Sequence, residues 1–274
     1  MEIKKWIRSA AGKVSVVLMT VSLLLVCLIF SSCGQDFLST ETANTINNIL
    51  IGVATGLIGI VVTVSFVQYA FDKQNEEKER KEEILTIKRY NKYMQSLIQK
   101  FCMFYIPVTT RLKDRNRAME ENPFNHQFKF SDIADMYSTS MYVSESLAKP
   151  AIVLFYDAEE RLREYMLRML ENVNFKYNTE IENILLEFVT KSLDLDVRGG
   201  ILDAINTRCS NERMCDIVSR DIANEAYDWI GEFQRGKLKS NLILPYVLFY
   251  YNVHDQVRLL KAYTAYVDKL DCQL

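Results

Sequence analysis

The chain has 274 residues, enough for one or two domains with their own cores, and its 33 Lys plus Arg are balanced by 35 Asp plus Glu. That balance excludes a protein whose main business is coating nucleic acid with a basic surface. With 15 Tyr and 14 Phe it is too aromatic to be disordered over most of its length.

Residues 14–30 carry no charge, and their polar members are only Ser and Thr. With Ser31, Ser32 and Cys33 the run reaches 20 residues, which at helical rise covers ~30 Å, the thickness of the hydrocarbon layer. A cleavable signal peptide is the rival reading, but this apolar core exceeds the usual length of one. Phe30-Ser31-Ser32-Cys33 also resembles a bacterial lipoprotein cleavage box, with Phe30 where that pattern prefers Leu; lipidation of Cys33 is the reading it implies.

A second uncharged run covers 49–67, followed by Gln68, Tyr69 and Phe71 at headgroup level. Lys4, Lys5, Arg8 and Lys13 precede the first run and Lys73, Lys78, Arg80 and Lys81 follow the second. The intervening loop, 34–48, holds no Lys or Arg and carries Asp36 and Glu41. By the positive-inside rule both chain ends are expected in the cytoplasm, with a short acidic loop outside. Within the second run Gly52, Gly56, Gly59 and Thr63 are spaced by four, three and four and fall on one helical face. Such a stripe lets another backbone approach closely. It fits packing against the first span of the same chain, and it fits association between protomers.

Residues 72–83 form a charge run in which Glu76/Arg80 and Glu77/Lys81 have the favourable Glu-first i,i+4 order, so a solvated helix is expected to continue the second span. Ile84, Ile87, Asn91, Met94, Ile98, Phe101 and Tyr105 then alternate at three and four residues, with a polar residue at one a-type position. Tyr90, Leu97 and Phe104 widen that face, which suits a bundle core better than a two-stranded seam. Pro107 is expected to end the helix.

Arg111, Lys113, Arg115 and Arg117 cluster in a connector. They fit a contact to anionic headgroups or nucleic acid, and equally a solvated loop offset by Asp114, Glu120 and Glu121, which is the reading preferred here. Further helices are expected from Ser131 through Leu147, from Pro150 at a first helical position, and from a capping box of Thr179 with Glu182. On the second of these, Ala151, Phe155, Ala158, Leu162, Tyr165, Met169 and Val173 form the apolar face, with Asp157/Arg161, Glu159/Arg163 and Glu164/Arg168 outside. Two more follow, one from Ser210 through Phe233 closed by Gly236, the other after Pro245 repeating at Tyr250, Val253, Val257, Leu260 and Val267. No glycine occurs between Gly59 and Gly199 and no strand alternation stands out, so the expected fold is all-α. It consists of an N-terminal two-helix transmembrane hairpin (1–71, spans about 14–33 and 49–67), a charged stalk and amphipathic helix (72–107), and a cytoplasmic helical bundle (108–274).

The chain holds no phosphate-binding glycine loop, GxSxG, HExxH or calcium-loop string, and neither His126 nor His254 has an arginine at the upstream spacing of helical RNases. None of the six cysteines forms a CxxC pair, so free thiols in a reducing compartment are expected, with no metal and no cofactor. Asp194, Asp196 and Asp203 read as an ordinary polar corner. The chain is therefore expected not to be an enzyme.

Two spans joined by a short loop, both ends inside, and a helical domain behind them resemble the two-span membrane effectors of bacterial antiphage systems, of the retron-associated and abortive-infection types. The closing LPYVLFYYNVHDQVRLLKAY is similar to the C-terminal part of the abortive-infection family. The resemblance implies an inner-membrane protein held inactive by a sensing or inhibitory protein or ribonucleoprotein. On infection it would assemble, as a homo-oligomer through Gly52, Gly56, Gly59 and Thr63, and breach the bilayer. No direct nucleic-acid binding is implied. The alternative is a membrane-anchored scaffold or regulatory subunit that recruits cytoplasmic partners.

Overall fold

A computed structural model describes residues 10–30, 40–139, 149–239 and 241–271. Among these the chain is all-helical apart from one pair of two-residue strands. It divides into two compact units, Met1–Lys81 and Glu82–Leu274. Cys33 and the basic residues Lys4, Lys5 and Arg8 lie outside the described residues.

The first unit contains helix α1, Ala10–Phe30, and the first part of α2, Thr40–Val108. Helix α2 is long and apolar enough to cross a membrane, and only 11 % of its most apolar window is buried. A core helix of a water-soluble domain would be covered by protein; this one exposes Ile49, Ile51, Val53, Ile60, Val62 and Phe66. The shorter apolar stretch Gly12–Cys27 lies within α1. Residues 40–48, expected in the connecting loop, are already helical.

The second unit is organised on the later turns of α2. Ile84, Ile87, Asn91, Met94, Ile98, Phe101 and Tyr105 are all buried, as is Leu97. Tyr90 and Phe104 pack at the edge of the same core. The face is as wide as the sequence implied, and it is covered by the chain's own helices: Phe101 meets Phe155 and Phe188, and Asn91 accepts a hydrogen bond from Tyr263 at 3.2 Å. Asn91 thus serves an intramolecular bundle and not a coiled-coil seam. Pro107 sits inside the last turn, which runs one residue further to Val108.

Behind α2 come α3 (Arg115–Glu120), α4 (Ala151–Asn172), α5 (Thr179–Asp194), α6 (Arg198–Asn206), α7 (Met214–Ala223), α8 (Trp229–Gln234) and α9 (Leu244–Asp271). Strands β1 (Arg208–Cys209) and β2 (Glu212–Arg213) pair antiparallel between α6 and α7. The expected apolar face of α4 is buried at Ala151, Phe155, Ala158, Leu162, Met169 and Val173 and half-buried at Tyr165. Helix α9 buries Val253, Leu260 and Val267 with Tyr246, Val247 and Phe249.

Four local expectations are corrected. The helix expected from Ser131 through Leu147 is, in its described part, a short 3-10 segment, Phe130–Asp135. The Asp135 and Thr139 carbonyls are drawn to the fully buried Arg115, which donates Nη2 to the first at 2.6 Å and Nη1 to the second at 3.0 Å. Carbonyls engaged that way do not propagate a helix. Arg115 thus departs from the solvated loop expected here, while Arg117 is exposed and pairs with Glu121 at 3.7 Å as that reading has it. The helix expected from Ser210 is preceded by the β1–β2 turn, where Ser210 takes a left-handed backbone (φ 59), and is broken before Trp229. There Asn224 and Asp228 side chains accept from Ala226 and Gly231 amides, the local turn chemistry that competes with helix. Pro150 is the N-cap of α4, with the helix starting at Ala151.

The fourth correction joins distant parts of the chain. No capping box forms at Thr179; the N-cap of α5 is Asn178, without a side-chain cap bond. The carboxylate that serves this end is Glu83, the last residue of the charge run, which is buried and not solvated. It accepts from the Tyr177 amide at 3.0 Å, the Asn178 amide at 2.9 Å and Asn178 Nδ2 at 2.9 Å. An anion at a helix N-terminus also meets the positive end of the helix dipole. Replacing Glu83 with Ala removes the acceptor of the buried Asn178 amide and side chain and is expected to cost about 3 kcal/mol. Glu83→Gln, which keeps one acceptor oxygen, should fall between. Thermal unfolding of the detergent-solubilised chain, followed by circular dichroism, reads both; an unchanged midpoint for Glu83→Ala would remove the latch from this account.

Candidate functional site

Two faces of α2 in the first unit differ in what they meet. Ala54 and Val61 are buried, and Leu50, Leu57 and Val64 are half-buried, a three-four alternation on one side of the helix. On α1 the buried positions are Gly12, Ser15 and Ser22, with Leu18 and Leu25 half-buried. Ser22 Oγ donates to the Ala54 carbonyl at 3.1 Å, which places these two faces against each other. Small residues on α1 let the backbone of α2 approach closely there.

Gly52, Gly56, Gly59 and Thr63 lie on the opposite side. All four are exposed, and a Cβ built on any of the three glycines would meet nothing within 4 Å. Thr63 Oγ1 donates to the Gly59 carbonyl at 2.9 Å, so its hydroxyl is satisfied within the helix. The stripe therefore faces away from α1. The spacing predicted that the four residues share a face. It gave no sign that Ser22 and Ala54 form the seam, because Ser and Ala in an apolar run look like filler.

In the second unit the two histidines, which the sequence places 128 residues apart as 254 minus 126, come together around Phe128. The His254 ring lies 4.1 Å from Phe128 at 9° between planes, and His126 lies 6.0 Å away at 12°. Tyr105 and Tyr250 meet the group edge-on. His126 Nε2 is 3.1 Å from Thr110 Oγ1. Burial among these rings pushes the His126 imidazole below its ordinary value, against the opposing pull of the Thr109 carbonyl and of Glu121 and Asp132. Burial does the same to His254, opposed by the Phe128 carbonyl and Asp255 and aided by His126. The arrangement is an aromatic packing cluster with a protonation cost.

A polar pocket lies where α4, α5 and α9 meet, lined by Tyr156, Glu159, Ser192, Asn252 and Gln256 together with Arg163, Asp196 and Arg198. Burial raises the Glu159 carboxyl above the usual carboxylate range, while Ser192, Arg163 and Arg198 act the other way. Arg163 approaches Glu159 at 3.6 Å, so this expected surface pair is formed but lies mostly inside. Asp157 instead faces Arg198, which bonds Glu160 at 2.7 Å. Asp196 accepts from the Arg198 amide. Among the described residues no group of three or more His, Cys, Asp or Glu is placed to hold a metal ion. The described cysteines Cys27, Cys102, Cys209 and Cys215 are free thiols. No known protein family, characterised protein or solved structure matches this chain.

The histidine cluster has a measurable consequence. Both rings bind protons less readily in the folded chain than in the unfolded one, so the unfolded chain takes up protons first as pH falls. Their contribution is complete above about pH 6.5 and declines as pH drops from there through the lower folded values. The unfolding midpoint of the wild-type chain should therefore fall between pH 7 and pH 5 by more than that of a His126→Leu, His254→Leu double variant. Parallel profiles would show that the rings titrate as they do in water.

Proposed function

We propose that this chain is a two-span protein of the bacterial inner membrane, with both ends in the cytoplasm, acting as a non-enzymatic effector of an antiphage system. A protein or ribonucleoprotein partner holds it inactive. When released, copies associate through Gly52, Gly56, Gly59 and Thr63 and compromise the bilayer. The observation that carries the association step is the open glycine face: α1 is held by the opposite side of α2, and the stripe is left for another helix. The effector assignment is supported by the resemblance in order and topology.

A second reading, the membrane-anchored scaffold, has its own observation. Leu186 and Leu193, seven residues apart on α5, are both more than half exposed and form a small apolar strip suited to a docked partner. A scaffold would leave membrane potential unchanged, and an effector would not.

Topology is tested by thiol labelling of intact cells, in a chain whose native cysteines are replaced by Ser. A membrane-impermeant reagent should reach Thr42→Cys directly and Asn211→Cys only after permeabilisation; the reverse order overturns the two-span orientation.

Association is tested by Gly56→Leu. The bulky side chain holds two backbones apart, so this change should abolish growth arrest and dye entry on overexpression while leaving membrane insertion intact. Val62→Leu, on a lateral exposed position of the same helix, is the control and should do little. Wild-type overexpression that leaves membrane potential untouched, with its neighbouring genes present, would replace the effector with the scaffold.

A further inference from the structure

The pocket between α4, α5 and α9 contains a hydrogen-bonding problem that the protein does not solve by itself. Tyr156, Asn252 and Gln256 are each more than nine-tenths buried. Tyr156 Oη, Asn252 Oδ1 and Gln256 Oε1 nevertheless have no hydrogen-bond partner among the described residues. All three residues line the same cavity, of about 10 Å³. The Gln256 amide is oriented by its other end, since Nε2 donates to Ser192 Oγ at 3.0 Å and to Glu159 Oε1 at 3.3 Å. Its oxygen is therefore a fixed acceptor. Leaving one buried donor and two buried acceptors unpaired at one place is costly enough that native interiors rarely do so.

We propose that this cavity is a binding site for a single structural water molecule that ties α4 to α9. The stoichiometry selects the ligand. Water donates twice, to Asn252 Oδ1 and Gln256 Oε1, and accepts once, from the Tyr156 hydroxyl. A monovalent cation could take the two amide oxygens but could not accept the phenol proton. An anion could accept from Tyr156 but would face two carbonyl oxygens and the Glu159 carboxylate. The volume is that of one water, and three partners is the usual number for a buried one.

The site makes the sign of one substitution diagnostic. Tyr156→Phe keeps the ring that packs under the Arg198 guanidinium, 5.6 Å away, and removes only the hydroxyl. If the hydroxyl donates to a bound water, the change should lower the unfolding midpoint of the full chain in detergent by about 2–4 °C. If it is unpaired, its removal should raise the midpoint, and the proposal fails. Asn252→Leu combined with Tyr156→Phe should shift the midpoint by less than the sum of the single changes, because both lose the same water. Exchanging sodium for potassium or ammonium at constant ionic strength should have no effect; a saturable, ion-specific rise would assign the site to a cation instead. Should a variant fail to fold, a high-resolution structure of the wild-type chain decides: one density peak within about 3.2 Å of all three atoms is expected, and a dry cavity overturns the inference.

Discussion

Burial of one face of α2, from Ile84 to Tyr105, is the contact on which the second unit depends. Phe101 at its centre touches aromatic rings of α4 and α5, and Asn91 reaches Tyr263 on α9, so the three largest helices of the unit all meet α2. A face of mixed Ile, Met and aromatic residues supplies area but little uniqueness, since neighbouring registers would bury similar amounts. Register comes from the polar contacts at its edge. Glu83 must meet the start of α5, Asn91 must meet Tyr263, and the Tyr90 carbonyl must meet Tyr165 at 3.1 Å. A shift of one turn would break all three while preserving most of the apolar burial.

The same division of labour recurs around Arg115. Its guanidinium is fully buried and donates to the Thr110, Asp135 and Thr139 carbonyls. Burial lowers its proton affinity, and nearby Asp135 opposes that shift. A planar fork with several donors can gather three divergent carbonyls, which a lysine could not. The connector between α2 and α4 is thus shaped by one side chain more than by helix propensity.

How much of this was legible depends on the sequence separation of the partners. The seven-residue stripe of α2 and the apolar face of α4 announce themselves by period, because the signal lies within one helix. Glu83 did not, because its partners are 94 and 95 residues away and ten charged residues in a row of twelve look solvated. Thr179 and Glu182 match a capping pattern, yet the carboxylate from α2 satisfies that end first. Arg115 was indistinguishable from Arg111 and Arg117 in composition, and only tertiary placement separates them. The polar pocket was hidden for a related reason: Glu159 sits on α4 at a position that reads as surface, and becomes interior because α9 crosses there with Asn252 and Gln256. In the first unit, the glycines were visible as a face, while the side used within the chain was not.

That α2 pairs with α1 through one side and leaves its glycines on the other has a consequence for symmetry. Contact of this face with its own copy would be isologous: each chain offers the same patch, the two-fold axis runs between them, and the surface is used up at two chains. A closed ring or an open array needs a second, different patch. The outward residues Val14, Val17 and Leu24 of α1 are the nearest such surface, since they remain exposed when the hairpin is formed. Were copies to associate through the stripe as proposed, glycines meeting glycines would terminate at a pair, whereas glycines meeting α1 of a neighbour would leave a free patch at each end and propagate.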